Sequence, residues 1–194
     1  TNNISNMLLP NAVQNCPEFY LNFNEIFSGD LNMFIKSKHS VDIIQNTITQ
    51  IFFSISNFSY YTNHVHLDAH GGNFLYHEVD KEGYYHYKVN GIDVYLKNMG
   101  YIWVIWDYGF AKKATYRKIL KDYRRVIKRF IPIMFGGWNK IDKYDVNYKK
   151  IDLAAKIMCV NNSNNLEVKL LKKVTKYVID NHTIHFPIMY FNEV

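Results

Sequence analysis

This sequence predicts an α+β fold, on three observations. Apolar residues recur at helical spacing over residues 41–60 and again over 116–130. Between those runs, residues 74–106 are rich in tyrosine and broken by Gly83, Asn90-Gly91 and Asn98 to Gly100, as strands joined in successive hairpins are. The chain of 194 residues is 48% hydrophobic and 16% aromatic, enough for one sizeable core and incompatible with disorder. No internal repeat or Gly/Ser linker divides it, so it reads as one compact unit with a loose arm through Gln14.

Each element follows from its residues. Leu21-Asn22-Phe23-Asn24-Glu25-Ile26-Phe27 alternates apolar and polar as a strand does, Ser28-Gly29 reads as a turn, and Asp30 can cap a short helix through Ser37. Val41, Ile44, Ile48, Ile51, Ile55 and Phe58 step by three or four, the period of a buried helical face, with Ser40 as N-cap. Phe74-Leu75-Tyr76 is the next strand, and residues 101–106 form a buried strand that delivers Asp107. Tyr116, Ile119, Leu120, Tyr123, Val126, Ile127 and Phe130 make a second helical face, ended near Pro132. Two further helices are expected at residues 147–160 and 166–180, giving a mainly helical second half.

The formal net charge of +6 and pI near 9.1 fit an anionic partner such as nucleotide, nucleic acid or acidic membrane, without selecting one. Cys16 and Cys159 lack metal-ligand spacing, which argues against a disulfide framework and for a reducing compartment. No basic-then-apolar leader opens the chain, and its apolar runs are too short to span a bilayer, so no transmembrane segment and an intracellular location are expected. The missing initiator Met points to a cut or partial chain.

Two short segments carry chemistry: His66-Leu67-Asp68-Ala69-His70-Gly71-Gly72-Asn73 and Trp106-Asp107-Tyr108-Gly109. Metal-assisted phosphoryl transfer needs a carboxylate to orient or accept the proton of a hydroxyl, and oxygen ligands to hold magnesium across the phosphates. Asp68 suits the first role; Asn73 and Asp107 suit the second.

His66-x-Asp68-x-x-x-x-Asn73 followed by Asp107-Tyr108-Gly109 resembles the catalytic and magnesium-binding loops of the protein-kinase superfamily. Asn24-Glu25-Ile26-Phe27-Ser28-Gly29-Asp30-Leu31 resembles the hinge that carries adenine, which implies backbone hydrogen bonds from Glu25, Ile26 and Phe27 and a ribose contact from Asp30. The stretch from Gly83-Tyr84-Tyr85-His86-Tyr87-Lys88 to Asp107 is similar to divergent kinase-like proteins of large nucleocytoplasmic DNA viruses. The resemblance spans roughly residues 17–131. It implies a protein-kinase-like fold, mainly the helical C-lobe with hairpins and a truncated or missing N-lobe. Residues 1–31 would be the arm, N-lobe remnant and hinge-like segment, and 32–194 the C-lobe. It also implies ATP and Mg2+ as cofactors, a Ser/Thr protein acceptor, and host cytoplasm or virion as the location if the protein is viral.

The chain departs from the family pattern in places. His70 stands where a protein kinase has Lys, as in small-molecule kinases with His-x-Asp-x-His, so a small-molecule acceptor is an alternative. Tyr108 replaces the usual Phe, and no Ala-Pro-Glu follows Gly109. Asp122 resembles the buried Asp that anchors the catalytic loop in the family. No Gly-rich loop or Val-Ala-x-Lys strand precedes the hinge-like segment, which leaves a catalytically silent pseudokinase, a binding or virion component, as a second alternative.

A rival from another enzyme class is a zinc hydrolase built on His64, His66, Asp68 and His70, although Ala69 breaks the His-x-His-x-Asp-His spacing. In the kinase reading His66 ties the loop to the backbone near Asp107, His70 is a candidate active-site contact, and His64 is a strand-edge side chain. Nine basic residues over 112–129, with Asp122 the lone acid, form either a solvated helix face or a surface for an anionic partner. Tyr84, Tyr85 and Tyr87 alternate at strand period and read as hairpin packing.

Overall fold

The computed structural model describes residues 18–89, 91–129 and 153–193. It is a mixed α+β structure. In chain order it runs β1 (Phe19–Glu25), β2 (Gly29–Asp30), α1 (Leu31–Phe34), α2 (Val41–Thr62), β3 (His64–Val65), a 3-10 turn (Gly71–Asn73) and β4 (Phe74–Glu78). Then follow β5 (Tyr84–Val89), β6 (Ile92–Lys97), β7 (Tyr101–Ile105), β8 (Lys112–Lys113), α3 (Tyr116–Arg129), β9 (Leu153–Cys159), α4 (Asn162–Ile179) and β10 (Met189–Glu193).

The two expected N-caps form, and a C-cap joins them. The Asp30 side chain accepts from Met33 N at 2.7 Å, Ser40 Oγ accepts from Ile43 N at 3.4 Å, and Asn63 closes α2 in the left-handed conformation at φ 57°. Ile44, Ile51, Ile55 and Phe58 of α2 are buried, whereas Val41 at the head of the same stripe is exposed. They meet Phe74, Trp103, Ile105 and Tyr108 in one core with Leu171 and Val174 of α4.

Three findings correct the sequence reading. The stretch expected as a helix over 147–160 contains strand β9; its first residues, like the arm through Gln14, Cys16 and the stop near Pro132, lie outside the described residues. Ala154-Ala155 gives this stretch helical propensity, but pairing with all of β1, from Phe19 opposite Cys159 to Glu25 opposite Leu153, overrides it. The expected successive hairpins are instead nested: β4 pairs with β7, Phe74 opposite Ile105, and the β5–β6 hairpin is held between them in sequence. Gly29-Asp30 is a short strand on β4 rather than part of a free turn.

The sheets are antiparallel, in the orders β10-β1-β9 and β2-β4-β7, with two-stranded pairs β3-β8 and β5-β6. Strand β1 is therefore flanked on both sides by strands from the far end of the chain. No helix among the described residues is long and apolar enough to cross a membrane.

Candidate active site

The loop at residues 66–73 leaves β3 at a point fixed from α3. The carboxylate of Asp122 accepts His66 N at its Oδ2 and Leu67 N at its Oδ1, both at 2.9 Å. Burial pushes this carboxyl up to about 6, against the lowering effect of those two N–H donors and of Arg125. His66 is fully buried, and burial pushes its imidazole down to about 4, so it is neutral. Since a carbonyl only accepts, the ring nitrogen Nε2, 2.7 Å from Trp106 O, carries the proton, which leaves Nδ1 to accept from Asp68 N at 3.3 Å. His66 thus fixes the loop against the Asp107 turn without facing a substrate; it is a positioning residue.

Asp68 is the loop's outward carboxylate, its side chain 27% exposed. Asn73 Nδ2 donates to Asp68 O at 3.0 Å and lies 3.4 Å from Asp68 Oδ2, and His70 Nε2 is 3.4 Å from the same oxygen. His70 also caps the turn at Gly71–Asn73, its Nδ1 accepting from Gly72 N at 3.1 Å. From α3, Arg125 Nη1 donates to Leu67 O at 2.9 Å and to Asp68 Oδ1 at 3.1 Å. No local pattern in the sequence marks Arg125, because the contact crosses from a helix far along the chain.

Asp107 is delivered by β7, whose two edges are both occupied. On one side lies β4, and its ladder is extended by Trp106 N donating to Asn73 O at 2.9 Å, so the backbones of Asn73 and Trp106 are adjacent. On the other, Gln50 of α2 bonds Tyr101 O at 2.9 Å and Trp103 N at 3.1 Å. His185 continues that edge: its Nδ1 donates to Trp103 O at 2.6 Å, its Nε2 accepts from the Tyr87 hydroxyl at 2.8 Å, and its carbonyl accepts Ile105 N at 3.1 Å. After the strand, Tyr108 is fully buried, stacked on Phe58 with ring centroids 4.8 Å apart, and donates its hydroxyl to Ile105 O at 2.7 Å.

Among the described residues, four that are not glycine have positive φ. Asn63 and Asn181 sit at helix ends, where that conformation is routine. Leu67 (φ 61°) and Asp107 (φ 63°) have no such reason, and both lie in this site; strained backbone of this kind concentrates where side chains must be aimed.

The hinge-like segment lies beside the Asp107 strand. Phe27 stacks on His77 of β4 (centroids 4.4 Å) and meets Trp106 edge-on at 6.4 Å, while Ile26 is 44% exposed. Glu25 accepts from Ile188 N at 3.2 Å and lies 3.4 Å from His77 Nε2, and the Asp30 carboxylate caps α1, so these two side chains are engaged within the protein.

The far end of the chain supplies residues that sequence reasoning missed. Ser163 at the start of α4 donates to Gly109 O at 3.1 Å, and the buried Glu167 one turn on brings Oε2 to within 3.4 Å of where a Cβ on Gly109 would lie. Helix α4 is thereby seated on the Asp107-Tyr108-Gly109 turn. Strand β9 holds Lys156 opposite Asn22 of β1. No local pattern marks Ser163 or Glu167, because both act on a turn that lies far back in the chain.

The zinc-type cluster is not assembled. His64 Nδ1 lies 2.7 Å from Thr62 O, His66 is turned to Trp106, and among the described residues no three His, Cys, Asp or Glu side chains gather as a metal site. Asn73 directs its amide nitrogen to Asp68, and its Oδ1 is an oxygen of the type a hard cation takes. Comparisons with protein-family models, curated proteins and solved structures find no match.

Proposed function

We propose that this chain is a protein-kinase-like phosphotransferase that moves the terminal phosphoryl group of ATP to a hydroxyl, with Ser or Thr of a protein as the acceptor. The observation that carries the reading is the joint anchoring of the two motif segments: Asp122 under the loop, His66 from the loop to Trp106, and Asn73 bonded to both Asp68 and Trp106 N.

In this reading Asp68 orients the acceptor hydroxyl and takes its proton, and Asn73 and Arg125 hold that carboxylate in place. Asn73 and Asp107 would hold magnesium, which when bound neutralises charge on the phosphates. Glu25, Ile26 and Phe27 would offer backbone groups to the adenine, whereas the Asp30 carboxylate, expected toward the ribose, is the N-cap of α1. Lys156 and Glu167 have the residue types and order of the strand lysine and helix acid that serve the phosphates in kinases. They follow the catalytic loop in the chain instead of preceding it; in this reading the strand–helix–strand unit β9-α4-β10, whose strands flank β1, would stand in for N-lobe strands expected ahead of the hinge. This supports an enzyme over a silent relative.

The test is thermal stabilisation by ATP with and without magnesium, on this chain and on Asp107→Ala. We expect magnesium-dependent stabilisation in the parent and its loss in the variant, with the unliganded melting temperature little changed. Equal stabilisation of both proteins, or none in either, would remove the assignment.

A further inference from the structure

Beside Asp68, the exposed face of α3 forms an open pocket of about 570 Å³ lined by Leu67, Lys121, Asp122, Arg124, Arg125 and Lys128. Its charge is one-sided. Asp122, the single acid, turns both oxygens to the loop backbone, while Lys121, Arg124, Arg125 and Lys128 are exposed. Among the described residues no carboxylate lies within ion-pair distance of Lys121, Arg124 or Lys128. Arg125 connects the pocket to the base: one nitrogen reaches Leu67 O and Asp68 Oδ1, and the rest of its five N–H donors remain for another anion.

We propose that this pocket receives the phosphoryl acceptor, and that the acceptor is a polypeptide segment with Asp or Glu next to the hydroxyl it presents to Asp68. The proposal rests on the reading of Asp68 as the catalytic base. The geometry favours a peptide over nucleic acid. Lys121, Arg125 and Lys128 fall at i, i+4 and i+7 on one helix face, and that run covers about 10 Å, the length of roughly three extended residues. Nucleic acid binders instead lay a continuing track of cations along many phosphates. Here Lys112, Lys113, Arg117 and Lys118, which would have to extend such a track, do not line the pocket, and Lys118 Nζ is bonded to Lys113 O. A carboxylate held by Arg125 would sit within one side chain of Asp68, so the pocket would select acceptors by the residues flanking the hydroxyl.

The test measures anisotropy of labelled Ser peptides flanked by Glu, Ala or Lys, and of a single-stranded RNA of matched charge. The full chain, Lys121→Glu/Lys128→Glu and the out-of-pocket control Lys113→Glu are compared. Transfer from Mg-ATP to the same peptides is followed in parallel. The Glu peptide should bind the parent chain and the Lys113→Glu control at least about tenfold more tightly than the Ala peptide, lose that advantage in the double variant, and be the preferred acceptor. Equal binding of Glu and Ala peptides, tighter binding of the RNA, or transfer favouring the Ala peptide would overturn the proposal. Glu-peptide binding without any magnesium-dependent nucleotide stabilisation would instead remove the phosphotransferase reading, and with it the role of the pocket as an acceptor site.

Discussion

The loop at residues 66–73 and the segment at residues 183–187 each bury an imidazole that donates to a carbonyl of the same short run of chain, His66 to Trp106 and His185 to Trp103. They use opposite ring nitrogens, Nε2 and Nδ1. What differs is the second nitrogen. That of His66 accepts from Asp68 N inside its own loop, so it shapes one turn; that of His185 accepts from Tyr87 on the β5–β6 hairpin, so it joins three separate pieces of chain. One histidine shapes the loop that carries Asp68 and the other ties the strand into Asp107 to the rest of the scaffold.

Acidification gives the largest effect expected, and it treats the two histidines alike. Burial holds both near 4 against an ordinary 6.5, so their stabilisation is complete above pH 6.5 and is lost as pH falls toward 4, about 3 kcal/mol each. Asp122 runs the opposite way. Burial lifts its carboxyl from 3.8 to about 6, so its contribution is complete below pH 3.8 and disappears as pH rises through 6, offsetting about 3 kcal/mol. From these three groups, urea unfolding at pH 6.5 and pH 4 should differ by about 3 kcal/mol, with the acidic sample weaker.

Removing one histidine separates the two regions. His185→Ala should cost about 2 to 3 kcal/mol at pH 7, through a cavity and the unpaired Trp103 carbonyl. It should also remove most of the net pH dependence, because the remaining histidine and Asp122 then nearly cancel. A variant that keeps the full pH dependence would show that the imidazole is not the group that titrates. The smallest effect on stability belongs to the loop. Asp122→Asn should change stability by about 1 kcal/mol or less, because it loses one acceptor but no longer desolvates a charge. Under the proposed function, phosphoryl transfer should still fall about a hundredfold as Asp68 loses its aim. A large drop in melting temperature with unchanged turnover would invert the contrast between scaffold and chemistry.

The same contrast governs how much of the molecule is legible in its sequence. His66, Asp68 and Asn73 are legible as one cluster because they share a single short loop, and Asp107 is legible because it ends a buried apolar strand. Helices α2 and α3 are legible because a buried face repeats every three or four residues. His185, Gln50 and Glu167 are not, since each acts on a partner 50 or more positions away, and no local pattern marks a side chain that will meet a distant strand. Strand β9 escapes sequence reasoning for a related cause: its alanines suit a helix, and only the presence of β1 as a partner makes extension the better state.

Strand β7 is the edge of its three-stranded sheet, yet its outer groups are taken by Gln50 and by the backbone and ring of His185. A bare edge of this kind, rich in Val, Ile and Trp, is a template onto which a second chain can add a strand. The segment at 183–187 therefore covers such a template as well as supporting the strand into Asp107, and a lesion that detaches it should be felt first as aggregation.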